Sequence, residues 1–409
     1  MTTGREFFTT RTVGEALAGF VPSRRTATQQ ITLADALRRV PAHDIVAPGP
    51  LPGFARSTVD GYAVQAADTY GASEGLPSYL DVIGAVRMGT EPDVTVSAGT
   101  AVEMPTGGVL PAGADAVVMV EYTNEAMPAV VEVLRPVAPG GGVVRADEDV
   151  AAGAVLVPAG RPLRAADLGM LAAAGVTDVV VHAQPRVAIL STGDEVVPPD
   201  TATLRPGQVR DAIASALAGL AIEAGGLPVP CGIVPDDLAA LQGALRAALG
   251  QADLVVISAG SSVGARDATT DAVASLGKPG IFCHGLAVKP GKPTLLAECD
   301  GVPVIGLPGN PLSALVVFRL VGVPVMWRLA GCDAPPPEPS VMASLTRAVP
   351  SEAGRRDVVQ VQFNDGRAEP LFGASALLSV LTRADGYLVV PEPATGLDAG
   401  AQVSITMYR

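Results

Sequence analysis

Cysteine, histidine and positive charge are all scarce in this sequence. Of 409 residues, 4 are cysteine and 3 are histidine, and they form neither a CxxC pair nor a cluster. A zinc or iron–sulfur site is therefore not expected, and free thiols in a reducing cytosol are the simpler interpretation. The net charge of −13 argues against binding to nucleic acid or to an anionic membrane, because both require a positive field.

Targeting segments are also missing. The first ten residues, MTTGREFFTT, lack a basic stretch followed by an apolar one, so no signal peptide is expected. The most apolar run, residues 314–326, contains Arg319 and Pro324 and is too short to cross a bilayer. These features predict a cytoplasmic protein with no membrane partner.

Apolar residues, glycine and proline are abundant instead. Hydrophobic residues make up 48% of the chain and charged residues 17%, with 46 glycines and 36 prolines. This composition suits compact elements joined by tight turns. A chain of this length is expected to form about two to four domains.

Changes of periodicity divide the chain into four parts. Residues 1–47 and 146–182 hold short helical patterns and predict a split N-terminal domain. Residues 48–145 are short β-rich runs, here called the insert, and residues 183–331 alternate strands with helices. Residues 332–409 begin with the linker CDAPPPEPS and continue as short strands, which predicts a small barrel or sandwich.

Helices outside the alternating part are predicted at residues 13–20, at 33–40 behind Thr32, and at 164–174 before Gly175. Within the alternating part, the predicted strands are 186–191, 227–234, 253–258, 281–288 and 302–307. The predicted helices there are 211–224, 236–249, 268–276 and 313–329. This order predicts a doubly wound αβα domain with a mostly parallel sheet.

Three polar, glycine-rich loops follow strands of this predicted sheet. They are STGDE (191–195), SAGSSVGARD (258–267) and LPGNPLS (307–313). Ligands of doubly wound sheets bind outside the carboxyl ends of the strands, where Gly260 and Gly264 would let backbone N–H groups approach an anion. One such loop alone is better explained as a turn, but three at one edge favour a site for an anionic ligand.

Charged residues near this edge suggest how an anion would be held. Lys289 and Lys292 lie in the proline-stiffened segment KPGKP, although a solvated turn with incidental lysines would look the same. Carboxylates, the ligands that Mg²⁺ prefers, occur at Asp194, Glu195, Asp236, Asp237 and Asp267. Asp236 or Asp237 is equally well explained as a helix N-cap, and Asp267 as a cap of the helix predicted at 268, so Glu195 is the strongest metal candidate.

Established catalytic motifs of other classes are absent. No Ser-His-Asp assembly can be argued from the sequence, and it contains no GxGxxG or GxxxxGK[ST] motif, which argues against an α/β-hydrolase, a dinucleotide-binding fold and a P-loop. In the insert, STVDGYA (57–63) and MPTGGVLPAGADAVV (104–118) are by themselves ordinary turns, and Asp60 would suit an Asx-turn.

Six motifs taken together resemble molybdopterin molybdenumtransferase, the MoeA/gephyrin E-domain family. They are, in order, STVDGYAV, PTGGVLPAGADAVVMVE, VAILSTGDEVV, SAGSSVGARD, AVKPGKP and GLPGNPLSAL. The C-terminal stretch SALLSVLTRADGYLVVP is similar to the same family. Each motif is modest alone, but six in this order and spacing cover nearly the whole chain.

The resemblance implies an elongated four-domain subunit with a MogA-like αβα domain and a C-terminal β-barrel. It also implies a homodimer whose active cleft lies between the αβα domain of one chain and the insert of the other. Adenylated molybdopterin and molybdate would react there with Mg²⁺ to give molybdenum cofactor and AMP. The molybdopterin adenylyltransferase is a further partner that the family suggests.

Carried over by motif, the resemblance implies three groups of functional residues. The catalytic group is Asp60, Glu195, Asp267, Lys289 and Lys292. The cofactor-binding group is Thr106, Gly193, Asp194, Asp236, Gly260, Ser262, Gly264, Pro308, Asn310, Pro311 and Ser313. The metal ligands would be Glu195, Asp236 and Asp267.

The sequence also departs from the family pattern. After GQVRD it has Ala212 and Ile213 where a serine-like residue and then asparagine are usual, so a polar contact with the ligand is expected to be missing. Ala259, Ser261 and Gly285 differ as well. Two alternatives therefore stay open: a tungstate-inserting enzyme of the same family, and a degenerate molybdopterin-binding carrier or scaffold. A simple phosphosugar- or nucleotide-binding module is more remote, because it leaves the insert unexplained.

Overall fold

A six-stranded sheet organises the αβα part of the computed structural model, which describes residues 10–259 and 263–408. The strand order across the sheet is Leu227–Val234, Arg186–Thr192, Leu254–Ala259, Val302–Pro308, Leu295–Cys299 and Pro279–His284. Pairing is parallel among the first four strands and antiparallel on both sides of Leu295–Cys299. Five strands therefore run in one direction, which confirms the mostly parallel sheet.

Helices cover both faces of this sheet because its strands are apolar on both sides. On the strand Arg186–Thr192, Val187 and Ile189 join one core cluster and Ala188 and Leu190 join another. The first cluster packs against the helices Ile213–Glu223 and Pro311–Val317, which is continued by Phe318–Gly322 and Val323–Leu329. The second packs against Leu238–Leu249 and Val263–Ala274. The doubly wound arrangement is thus confirmed.

The closing helix of this part is its longest apolar segment. Residues Pro311–Leu329 are long and apolar enough to cross a membrane, but 72% of the most apolar window is buried inside the protein. Phe318, near its middle, is fully buried against the sheet. The segment packs as a core helix of the αβα part.

Several sequence predictions are wrong in detail. The helix predicted at 268–276 is Val263–Ala274, so Asp267 lies within the helix and is not its N-cap. The strand predicted at 281–288 ends at His284, and the strand Leu295–Cys299 was not predicted at all. The helix predicted at 33–40 is only the 3₁₀ turn Leu33–Asp35, because Arg38 has a φ of +64° and ends any helical path.

The N-terminal segments pair with the segments that follow the insert. Thr28–Thr32 pairs antiparallel with Asp178–His182, and Ile45–Val46 with Val155–Val157. The helix Ala165–Ala173 packs beside them and is followed by Gly175 at a φ of +75°, the C-cap geometry that was predicted. The first helix, Val13–Gly19, instead packs into the αβα core through Val13 and Ala16.

The insert contains its own six-stranded sheet. The strand order is Ala116–Met119, Gly61–Val64, Thr100–Met104, Ser78–Ala85, Val130–Val133 and Thr123–Met127. The strands Arg56–Ser57 and Val143–Val144 form a separate short antiparallel pair. The insert also has two 3₁₀ turns, Ala66–Thr69 and Val120–Tyr122. Two apolar clusters of small and β-branched residues fill it.

The C-terminal part is a closed five-stranded barrel. Its strands are, in order around the barrel, Arg356–Asn364, Arg367–Leu371, Ser340–Leu345, Gln402–Met407 and Gly386–Val390. The last strand pairs back with the first, which decides between the barrel and the sandwich in favour of the barrel. This part also contains the helix Leu378–Arg383 and the short strands Val349–Pro350 and Gly396–Leu397, and the αβα part has the further two-residue strands Val196–Val197, Val209–Arg210 and Val288–Lys289.

Candidate functional site

A tight turn after the strand Arg186–Thr192 positions the first acidic residues. Gly193 has a φ of +140°, and a Cβ atom there would lie 2.8 Å from Oε2 of Glu195. The Glu195 side chain therefore folds back over Gly193, at the carboxyl edge of the sheet. Asp194 is exposed and Glu195 half-buried, so both can meet a ligand.

Asp236 lies beside this turn, at the end of the neighbouring strand. Its backbone N–H donates to Oδ1 of Asp194 at 3.2 Å. Its carboxyl is part-buried beside the side chain of Thr192. Burial raises the pKa of the Asp236 carboxyl, the charges of Asp194 and Glu195 raise it further, and a hydrogen bond with the Thr192 side chain lowers it. The Asp236 carboxyl thus lies close to two further carboxylates, an arrangement that a bound cation would stabilise.

The N-cap question at Asp236 and Asp237 is settled by geometry. Oδ1 of Asp237 accepts the N–H of Ala240 at 2.9 Å, so Asp237 caps the helix Leu238–Leu249. Asp236 is thereby free for the site. No group of three metal-ligating side chains forms a metal site within residues 10–259 and 263–408, and the side chain of Asp267 lies outside the described part.

The predicted phosphate-binding loop is only partly described. Ser258 donates to Oγ of Ser191 at 3.2 Å, which ties two neighbouring strands together at their carboxyl ends. Gly260, Ser261 and Ser262 lie outside the described residues, and Gly264 is in the helix Val263–Ala274. The roles of Gly260, Ser262 and Gly264 stay predictions.

The lysine-containing turn lies between the αβα part and the barrel. Val288–Lys289 pairs in parallel with Arg356 and Asp357 of the barrel, so the backbone of the turn joins the barrel's sheet. Nζ of Lys289 lies 3.8 Å from Oδ2 of Asp357, and the Lys289 side chain is 60% exposed. The buried Asp357 carboxylate is also bound by Nε of Arg355 at 2.8 Å. The ammonium group of Lys289 thus has Asp357 as a counter-ion and is still accessible to a ligand.

Five predicted residues meet in one cleft beside this turn. The cleft has a volume of about 590 Å³, and it is lined from the αβα side by Lys289, Lys292, Pro308, Asn310 and Ser313. Pro311 lies just behind them as the first residue of the helix Pro311–Val317. Two separate loops, 289–292 and 308–313, therefore converge on one cavity that contains both lysines.

The opposite wall of this cleft comes from the barrel and was not predicted. It includes Arg355, Gln360, Phe372 and Ser375. Site residues were predicted only for the αβα part and the insert, and for the barrel the family resemblance implied a fold but no site residue. The segment GRRD (354–357) contains one of three Arg-Arg pairs in the chain, so nothing in the sequence singled out this wall.

The insert residues form a separate small site. Oδ1 of Asp60 accepts hydrogen bonds from the backbone N and from Oγ1 of Thr106, at 2.7 and 2.9 Å. These two bonds hold the pKa of Asp60 below its usual range. Asp60 lies in a surface depression of about 310 Å³ that is distinct from the cleft of Lys289. Asp60 and Thr106 meet as a pair, but within one described chain they do not join the lysines.

The two departures at the start of the helix Ile213–Glu223 have structural explanations. Ile213 is 9% exposed and belongs to the core cluster beneath the helix. Ala212 occupies the N-cap position, while Oδ1 of the preceding Asp211 accepts the N–H of Ala214 at 3.0 Å. A buried apolar residue therefore stands where a polar contact was expected, and Asp211 performs the capping.

Family models account for almost all of the chain. Residues 11–175 match the MoeA N-terminal region (domain I and II), residues 188–328 a probable molybdopterin binding domain, and residues 342–408 the MoeA C-terminal region (domain IV).

The chain belongs to the MoeA family.

Curated MoeA relatives are similar over nearly their whole length. Molybdopterin molybdenumtransferase 2 of Mycobacterium tuberculosis is 34% identical over 388 residues, which are 93% of this chain and 95% of the relative. Molybdopterin molybdenumtransferase of Bacillus subtilis is 31% identical over 392 residues, with 93% and 90% covered. These relatives are transferases by name, the enzyme class that the sequence predicts.

Solved MoeA structures share the architecture. A crystal structure of molybdopterin biosynthesis MoeA protein from Pyrococcus horikoshii OT3 superposes with a TM-score of 0.85 at 31% identity, covering 98% of this chain and 100% of that one. Another structure of the Pyrococcus protein gives a TM-score of 0.81 at 34% identity, with 98% and 99% covered. Both the predicted family and the predicted multidomain fold class are confirmed.

Proposed function

We propose that this MoeA-family protein inserts molybdate into adenylated molybdopterin in a Mg²⁺-dependent reaction that releases AMP and yields molybdenum cofactor in the cytoplasm. The observation that carries the proposal is the convergence of Lys289, Lys292, Asn310 and Ser313 on one cleft. Molybdate is a tetrahedral dianion, and a cleft lined by two lysines, an arginine and a single carboxylate, Asp357, keeps a positive charge that complements it.

The side chains of the cleft bind the anion in two ways in this proposal, by charge and by hydrogen bonding. Lys289, Lys292 and Arg355 neutralise the oxyanion and the phosphate oxygens, while the hydroxyl of Ser313 and the amide of Asn310 donate hydrogen bonds. Lys289 already has Asp357 at 3.8 Å, which keeps its ammonium group at the cleft before the anion arrives. This placement reduces the conformational entropy that the Lys289 side chain loses when the anion binds.

The acidic residues at the sheet edge fit a divalent cation. Asp236 lies close enough to Asp194 and Glu195 for their charges to raise the pKa of its carboxyl. With Asp267, they would hold Mg²⁺ through the carboxylate oxygens that this ion prefers. When bound, Mg²⁺ supplies stabilisation of the negative charge that develops on phosphoryl oxygens as AMP leaves.

We further propose that the protein acts as a homodimer, in which the insert of one chain completes the cleft of the other. The supporting observation is that Asp60 and Thr106 form an exposed pair in a depression separate from the cleft of Lys289. A partner subunit gives this pair a role that a single chain does not. The molybdopterin adenylyltransferase, which would deliver the adenylated substrate, is proposed as a transient partner.

AMP release is the decisive measurement. Purified protein incubated with adenylated molybdopterin, molybdate and Mg²⁺ should release AMP, and Glu195→Ala and Lys289→Ala should reduce the rate by about 100-fold or more. Lys278→Ala is the matched control, because Lys278 is exposed outside the cleft and is the third of only three lysines in the chain. Wild-type protein that releases no AMP would refute the proposal.

Two alternatives are outcomes of the same assay. Faster AMP release with tungstate than with molybdate would identify a tungstate-inserting enzyme. Binding of molybdopterin without turnover would identify a carrier or scaffold. The packing of Ile213 in the core argues for the enzyme, because this departure from the family pattern serves packing and removes no acidic or basic group from the site.

A further inference from the structure

Phe372 is an exposed aromatic residue at the wall of the basic cleft. It lines the cleft from the barrel side, and 52% of it is exposed. The guanidinium of Arg347 lies 5.3 Å from its ring centroid, and Arg347 is itself held by Glu369 and by the carbonyl of Pro370, each at 2.7 Å. One face of the ring is thus backed by a fixed cation, while the rest of the ring is open. A ring held in this way is a platform on which a planar ligand can stack with little further loss of side-chain conformational entropy.

Gln360 lies next to this platform and has an unused hydrogen-bond donor. Gln360 pairs with Leu371, the residue before Phe372, on the adjacent strand of the barrel, and it lines the same cleft. It is 1% exposed, and its Oε1 accepts a hydrogen bond from the hydroxyl of Tyr408. Its Nε2 is buried and has no partner among the described residues. A buried N–H donor without an acceptor is unfavourable, so this amide calls for a ligand atom or a water.

We propose that Phe372 and Gln360 form a subsite for a planar nitrogen heterocycle. The heterocycle stacks on the open face of Phe372, and Nε2 of Gln360 donates to a ring nitrogen or carbonyl oxygen at its edge. This inference rests on the proposed function, whose substrate contains two such rings, the pterin and the adenine. We assign the subsite to the pterin, because molybdopterin carries its metal-binding sulfurs next to that ring and Lys289 and Lys292 line the same cleft.

Binding of molybdopterin and of AMP, measured separately by calorimetry without oxygen, tests the stacking. Phe372→Leu should weaken molybdopterin binding by about 5- to 30-fold, the usual effect of losing one base–aromatic stack, and should leave AMP binding unchanged. Phe372→Tyr keeps the ring and should keep the affinity. Tyr70→Leu is the matched control, since Tyr70 is 60% exposed on the insert, outside the cleft.

The amide is tested in a background that removes its partner. Tyr408→Phe alone deletes the hydroxyl that holds Gln360, and Tyr408→Phe combined with Gln360→Met also deletes the donor. The double variant should bind molybdopterin about 3- to 10-fold more weakly than Tyr408→Phe alone, the loss expected for one hydrogen bond. Circular dichroism and the melting temperature check that both variants fold.

The outcomes separate the subsite from the function. Weakened binding of AMP alone in Phe372→Leu would support the subsite but assign it to adenine. Unchanged binding of both probes would overturn the subsite while leaving AMP release by the wild type intact. Wild-type protein that binds no molybdopterin would overturn the proposed function and the subsite together.

Discussion

Gly193 determines where the carboxylate of Glu195 lies. A methyl group there would approach Oε2 of Glu195 to 2.8 Å, at a φ of +140° that side chains rarely adopt. Gly193→Ala should therefore displace Glu195 and lower the rate of AMP release by about 10- to 100-fold, the effect of a misplaced catalytic group. The assay is AMP release at saturating molybdate, together with the melting temperature.

Gly207→Ala is the control for backbone strain. Gly207 has a φ of +90° in the same part of the chain, but no described atom lies within 4 Å of a Cβ placed there. Both substitutions should lower the melting temperature, whereas only Gly193→Ala should lose activity. Equal activity losses would show that the effect comes from strain and not from the position of Glu195.

At the scale of single residues, the sequence could name the chemistry but not assign each side chain. Asp236 and Asp237 were equal candidates for the N-cap, because an aspartate in either position can reach a helix N-terminus. The backbone path decides the question, since only Asp237 reaches the N–H of Ala240. A capping role was an alternative for Asp267 only because the helix was predicted to begin at 268, five residues later than it does.

The closing helix of the αβα part depends on a glycine in its π-helical turn. A Cβ at Gly322 would lie 2.3 Å from Cδ2 of the fully buried Phe318, in the turn Phe318–Gly322. Gly322→Ala should overpack the core and reduce the free energy of unfolding by about 1–3 kcal/mol. Urea unfolding followed by the fluorescence of Trp327, the single tryptophan, which is buried in the adjoining helix, measures it.

Gly219→Ala, in a neighbouring helix, should change the free energy of unfolding in the opposite direction. Gly219 is in the middle of Ile213–Glu223, and no described atom lies within 4 Å of its added Cβ. The substitution should increase the free energy of unfolding by about 0.5–1 kcal/mol, because alanine favours a helix over glycine. If both glycine substitutions had the same sign, the close packing at Phe318 would not be the cause.

At the scale of elements, periodicity predicted long segments well and short ones poorly. The strands of the sheet centre were found because their apolar runs are bounded by polar loops. The strand Leu295–Cys299 was missed although Asp-Gly at 300–301, with φ of +50° and +84°, is the usual signal of a two-residue hairpin. The apolar pattern at 33–40 predicted a helix, but Pro41 and the conformation of Arg38 prevented one.

Mixed dimers test whether the site is shared between subunits. Asp60→Ala and Lys289→Ala should each be inactive, but random mixing of the two chains places one intact insert opposite one intact lysine turn in half of the dimers. Each mixed dimer has one working site of two, so about a quarter of the wild-type activity should return. Co-expression of the two chains with different affinity tags allows the mixed dimer to be isolated and assayed.

A single-chain site gives a different result. If Asp60 acted within its own chain, every chain in the mixture would carry a defective site and no activity would return. A mixture of Lys289→Ala with Lys292→Ala is the negative control, because both lysines line the same cleft and no pairing restores it.

At the scale of the whole molecule, the family resemblance predicted the architecture that local patterns could not. Composition and periodicity indicated an αβα part and β-rich flanks, but not that the C-terminal strands close into a barrel. They also could not show that Arg355 and Gln360 face the lysine turn, because the periodicity of a sequence carries no information on contacts between segments that far apart. The boundaries of the four parts stay predictions.

The pairing of Val288–Lys289 with the barrel has a consequence for modularity. Each part has an apolar cluster of its own, but the larger cluster of the αβα part also includes Val358 and Tyr387 of the barrel, and the backbone that presents Lys289 is hydrogen-bonded to the barrel's sheet. A transplanted αβα unit would keep its sheet and its acidic edge while losing the strand neighbour, the Asp357 counter-ion and the second wall of the basic cleft. The proposed oxyanion site thus lies at the junction, and recombination or truncation at the linker would remove one of its walls and expose part of the αβα core.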